Sequence, residues 1–125
     1  MEIKKKMIAN NLASKYPEFF DSPDFSIECE KGWYRILEDM FEEFRKNKLE
    51  LEILQIKEKF GSLRVYVGKI KENKLDLVEL IIKKAEDLSS KTCEHCGKEA
   101  NIQNTAGWYK CICNKCRMFR KLRGY

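Results

Sequence analysis

The chain has 125 residues, 43% hydrophobic and 36% charged, a balance that excludes intrinsic disorder and bounds the protein at one domain, or one domain with a small appendage. No stretch approaches the roughly 20 apolar residues of a membrane-spanning helix. The basic N-terminus MEIKKKMIANNLASKY lacks the apolar run and small-residue cleavage site of a signal peptide, so a cytoplasmic protein without membrane association is expected. The net charge of +5 is unevenly placed. Residues 91–125 hold eight basic against two acidic side chains, whereas residues 1–90 are nearly neutral. A basic segment on a neutral body implies either an anionic partner or a solubilising tail.

In chain order, residues 2–15 read as a helix with Ile3, Met7, Ile8 and Leu12 on one face, ended or bent by Pro17. Asp21–Asp24 reads as a turn and residues 25–30 as a short extended piece. After Gly32, the residues Trp33, Ile36, Leu37, Met40, Phe41 and Phe44 recur at helical spacing and form one apolar stripe, which belongs in a core. Leu49, Leu51 and Ile53 then alternate as in a strand, with a bulge expected near Leu54–Gln55. A second β-rich run, residues 63–67, follows a turn at Gly61-Ser62 and completes a hairpin. Asn73 is placed to cap a third helix running to Leu88, with Leu77, Val78, Ile81, Ile82, Ala85 and Leu88 on its apolar face. The fold class is therefore α+β: a helix, helix, hairpin, helix body over residues 1–90, and a zinc-ribbon-like module over residues 91–125 packed against it.

That module rests on cysteine spacing. Five of six cysteines fall between positions 93 and 116, which favours metal binding over a disulfide framework. Cys93-x-x-Cys96 and Cys113-x-x-Cys116, with sixteen residues between the pairs, match the C-x₂-C-x₁₅₋₂₀-C-x₂-C zinc signature. Two residues between thiolates let a tight turn place both sulfurs on one ion. The turn's N–H groups can ease their charge, and Gly97 suits the positive φ that the chain needs to turn back. Four thiolates close the coordination sphere, so one structural Zn²⁺ is expected, without which the segment unfolds. Alternatives are His95 replacing a cysteine, Cys111 replacing Cys113, an iron–sulfur cluster, and plain buried or redox cysteines. Between the pairs, Trp108 and Tyr109 either stack on a nucleobase or, as the favoured reading, form an apolar lid on the zinc site or body. The last segment reads as a short helix with Met118, Phe119 and Leu122 toward the body and Arg117, Arg120, Lys121 and Arg123 toward solvent.

Trp33, the run Lys57-Glu58-Lys59-Phe60-Gly61-Ser62-Leu63-Arg64-Val65-Tyr66, Cys93-Glu94-His95-Cys96-Gly97 and Gly107-Trp108-Tyr109-Lys110-Cys111-Ile112-Cys113-Asn114-Lys115-Cys116 together resemble a group of short proteins of bacteria, phages and prophages. That group shares a VKEKFGGLRFY-like hairpin and a terminal zinc ribbon. The chain departs from the pattern at Ser62, where the group usually has Gly, at Cys111, where Thr is common, and at Cys116, where His is frequent. The resemblance implies a zinc ribbon and a mobile-element setting, and it implies no particular activity.

There is no HExxH, no glycine-rich phosphate loop, and no Ser/His or Cys/His pair outside the zinc region, so a non-enzymatic protein is expected. Two functions follow. One is an accessory protein that binds and modulates or inhibits a host protein or ribonucleoprotein complex, such as a defence nuclease, as anti-CRISPR proteins do. The other is a zinc-ribbon protein that binds DNA or RNA through its basic segment. In either case the candidate contact residues are Trp108, Tyr109, Lys110, Lys115, Arg117, Arg120, Lys121 and Arg123. The sequence leaves the oligomeric state open.

Overall fold

The structure, a computed structural model, describes the backbone of residues 2–122 and the side chains of residues 9–119. It is a mixed α+β fold with four helices and two small sheets among the described residues. Helix α1 (Glu2–Lys15) stops two residues before Pro17, which opens a 3₁₀ turn. A ring has no N–H to continue an α-helical ladder, but it is tolerated at the start of a new turn. Leu12 is buried as its position on the stripe required, whereas the side chains of Ile3, Met7 and Ile8 lie outside the described residues.

The core forms around helix α2 (Tyr34–Lys46) and the 3₁₀ turn that leads into it. All six stripe residues, Trp33, Ile36, Leu37, Met40, Phe41 and Phe44, are buried. Tyr16 and Phe19 stack against Phe41, with centroids 5.1 and 5.6 Å away, and Phe44 meets Phe19 edge-on at 5.7 Å. These offset and edge contacts are the arrangements that aromatic quadrupoles favour.

Strands β1 (Ser26–Glu28), β2 (Glu52–Lys59) and β3 (Ser62–Gly68) form one sheet in that order. β2 and β3 are the expected antiparallel hairpin, and the register shift between Ile53 and Gln55 is the expected bulge. The turn differs by one residue from the sequence reading. Lys59 pairs with Ser62, so the loop is Phe60-Gly61, and both residues have positive φ, +53° and +89°. That is the sign pattern of a type I′ turn, whose twist matches the flanking strands. β1 pairs parallel to β2, which the sequence did not reveal, and α2 is the crossover that makes this pairing possible.

Helix α3 (Leu75–Ser89) starts later than Asn73 suggested. Asn73 lies in a preceding 3₁₀ turn, Glu72–Lys74, and α3 has no side-chain cap. Val78, Ile81, Ile82 and Ala85 are buried and Leu77 partly so, but Leu88, expected on the same face, is exposed. The C-terminal turn of α3 is instead fixed by polar contacts. Ser89 Oγ accepts the Leu63 N–H at 2.8 Å, and Glu86 Oε2 accepts the Val65 N–H at 3.2 Å. These two N–H groups lie on the outer edge of β3, so α3 covers that edge. Ile27, Ile53, Ile56, Leu63 and Val65 point into the shared core. The opposite face of the sheet carries Gln55, Lys57, Lys59, Ser62, Arg64 and Tyr66, of which Lys59 and Tyr66 are exposed and the others half-buried.

Past α3, strands β4 (Ile102–Thr105) and β5 (Trp108–Cys111) make a two-stranded ribbon, followed by helix α4 (Asn114–Leu122).

Candidate metal centre

The two cysteine pairs come from different local structures. Cys93 and Cys96 flank a tight turn closed by Gly97 N–H to Cys93 O at 2.9 Å, and Cys93 N–H reaches Lys98 O at 2.7 Å. Gly97 takes φ +83°, as a chain doubling back there requires. Cys113 precedes α4 and Cys116 lies in its first turn, so the helix start presents both sulfurs on one side. The β4–β5 ribbon brings the pairs together. The four Sγ atoms lie within 4.8 Å of one another, with Cys96 and Cys113 3.6 Å apart. Four sulfurs around one tetrahedral ion at about 2.3 Å stand about 3.8 Å from each other. Cys93, Cys96, Cys113 and Cys116 therefore fit a single metal ion.

Electrostatics agree with that role. The Cys116 N–H points at Cys113 Sγ at 3.5 Å and, as the largest influence, holds that thiol down to about 7. Burial pushes the Cys96 and Cys116 thiols up, and a cation would offset that cost. Cys111 stands outside the cluster, and burial raises its thiol to about 11. His95 does not join the cluster either. Its Nδ1 lies 3.2 Å from Glu30 Oε1, directed away from the sulfurs and onto the body.

The centre is built into the body rather than appended to it. Gly32 N–H donates to Glu94 O at 2.7 Å, and Trp33 Nε1–H donates to Thr92 O at 2.8 Å. A Cβ on Gly32 would overlap the carbonyl oxygens of Cys93 and Glu94, so only glycine allows the first cysteine turn to seat on the start of α2. Glu94 is buried to 3% exposure; its Oε2 accepts the Glu30 N–H at 3.0 Å, and its Oε1 faces Lys110 Nζ at 2.9 Å. Burial pushes the Glu94 carboxyl up and Lys110 opposes that shift. Nothing in the sequence marked Glu94, Lys110 and Glu30 as a unit, because a charge between two cysteines looks like any solvated side chain.

The six basic candidate contact residues fall into three groups. Lys110 is withdrawn into the seam, with 22% of its side chain exposed and Glu30 as a second partner at 3.6 Å. Its side chain is already engaged by acids of its own chain. Lys115 and Arg117 are exposed on α4, and Arg117 donates to Gln103 Oε1 at 2.7 Å. The side chains of Arg120 and Lys121, and all of Arg123, lie outside the described residues, as does the Leu122 side chain.

Trp108 corrects the lid expectation. It sits at the ribbon tip with 71% of its surface exposed and covers neither the sulfurs nor the body. Met118 and Phe119 are also exposed instead of facing the body. Alternation along β5 explains the exposure of Trp108. Tyr109 and Cys111 point one way, toward the Phe60 side and the core, and leave Trp108 and Lys110 on the other face. Lys110 is close enough to the body to be covered, and Trp108, two residues further out, is not.

No helix among the described residues is long and apolar enough to cross a membrane. Comparison with protein-family models, curated proteins and solved structures finds no match to this chain.

Proposed function

We propose that the chain is a non-enzymatic binding protein of phage or mobile-element origin. Its ribbon, held by one structural Zn²⁺, captures and modulates or inhibits a host protein or ribonucleoprotein complex in the cytoplasm. The observation that carries this reading is the outward Trp108. A tryptophan left 71% exposed at the ribbon tip is a residue type enriched among interface anchors. Exposed Tyr109, Met118 and Arg117 add residue types that interfaces concentrate. Four soft thiolates at tetrahedral spacing favour zinc among common ions, and a closed sulfur shell leaves no position for substrate. The mobile-element setting rests on the sequence resemblance alone.

The second reading is nucleic-acid binding through the basic C-terminal segment, supported by the charge surplus after residue 91 and by exposed Lys115 and Arg117. Lys110 supports it less than the sequence suggested, because it is already paired with Glu94.

Affinity capture from a host lysate, with and without nuclease, separates the two. The leading reading expects one stoichiometric protein that survives nuclease and is lost with Trp108→Ala. Partners that all vanish on nuclease treatment, or capture indifferent to Trp108→Ala, contradict it.

A further inference from the structure

The solvent face of the three-stranded sheet breaks two local rules in one place. Lys57 on β2 and Arg64 on β3 are directly paired across the antiparallel ladder, on the same face. Like charges in that relation repel and destabilise a sheet. Among the described residues no carboxylate comes within ion-pair distance of Lys57, Lys59 or Arg64. Glu28 stands in register with Lys57 on the other side and bonds to none of them. Edge protection does not account for the cations, because Lys57 is on the central strand and α3 already covers the outer edge of β3.

The second broken rule is Phe60. It occupies the first central position of the hairpin turn at φ +53°, where Asn, Asp or Gly is the comfortable choice and a bulky side chain is strained. The strain is not repaid by burial, since Phe60 is 62% exposed. Its ring meets Tyr109 of the ribbon edge-on at 6.1 Å. Further along the same sheet face, Tyr66 is exposed, with Lys57 Nζ 5.7 Å from its ring centroid, and Lys59 Nζ lies 5.6 Å from the Phe60 ring. Three exposed rings thus share one surface with three cations that lack a carboxylate partner, Arg64 donating only to Ser62 Oγ at 2.8 Å and Leu63 O at 3.2 Å. Strain and unmatched charge gathered at one surface are the marks of a site kept for a ligand.

We infer that this face binds single-stranded nucleic acid, with Lys57, Lys59 and Arg64 on the phosphates and Tyr66, Phe60 and Tyr109 as stacking platforms for unpaired bases. A polyanion that also offers flat apolar faces complements both features, and duplex does not, because its bases are already stacked. Apart from Tyr109, which the ribbon contributes, the surface lies outside the C-terminal basic segment, and its three cations belong to the sheet.

The test is fluorescence anisotropy with the full-length, zinc-loaded protein, a labelled single-stranded oligothymidylate or oligouridylate, and a duplex of equal length, over a salt series. Single strands should bind more tightly than duplex. Tyr66→Ala should weaken binding roughly 5- to 150-fold, the range for loss of one stacked base. The double variant Lys57→Gln/Arg64→Gln should lower the log–log salt slope by about 1.4, for two lost single-strand phosphate contacts. Phe60→Asn is the sharpest arm. It places a favoured residue in the turn, so the melting temperature should hold or rise while affinity falls. No binding at low salt, equal affinity for duplex, an unchanged affinity in Phe60→Asn, or loss with Lys115→Gln/Arg117→Gln instead of Lys57→Gln/Arg64→Gln would each overturn the inference.

Discussion

Glu94 is the one charged side chain that is fully buried among the described residues, and it lies between two metal-site cysteines. Its burial is sustainable because Lys110 and the Glu30 N–H share its two oxygens. Removing one partner of such a pair costs more than the pair itself contributes, since the remaining charge has lost its water and its counter-ion. Lys110→Met should therefore destabilise the protein by about 2–4 kcal/mol, less than a fully dry pair because Lys110 keeps some solvent. Lys110→Met/Glu94→Leu should recover most of that loss. Denaturant unfolding of both variants checks this, and a double variant no better than the single would remove Glu94 from the account. Cys111 makes the opposite point at the same scale: a cysteine in the middle of a metal motif, buried and held protonated, that belongs to the core.

At the scale of elements, legibility followed repetition. α2 was readable because its apolar stripe recurs through more than two turns, so each turn confirms the last. The hairpin and its bulge were readable from a change of period, and the cysteine pairs from spacing that the ligand chemistry dictates. β1 has three residues, too few for any period, and its pairing depends on a strand more than twenty residues away. The turn lies one residue before Gly61-Ser62 because Phe60 adopts a conformation its side chain disfavours. The exposure of Trp108 is not legible in the sequence, because a two-stranded ribbon has two faces and only contact with the body decides which is covered. The ribbon offers little core of its own, so its order depends on the metal and on the seam. Chelating the metal should abolish amide hydrogen-exchange protection in β4, β5 and α4 and leave α2, β2 and β3 protected. Uniform protection after chelation would mean that the ribbon needs no ion.

For the whole molecule, the start of α2 holds the first cysteine turn through Gly32 and Trp33, and the Phe60 turn meets the ribbon through Tyr109. Two outward surfaces result, the ribbon tip around Trp108 and the open sheet face around Lys57 and Arg64. The first surface, and the Tyr109 platform of the second, require a ribbon held in place by its four sulfurs. The most direct test of that premise is X-ray absorption at the zinc edge of protein purified without added metal, read together with metal content. One zinc per chain is predicted, with a first shell of four sulfurs at about 2.3 Å and no nitrogen or oxygen. A shell containing nitrogen would bring His95 into the site, and iron or no bound metal would contradict the structural-zinc account outright.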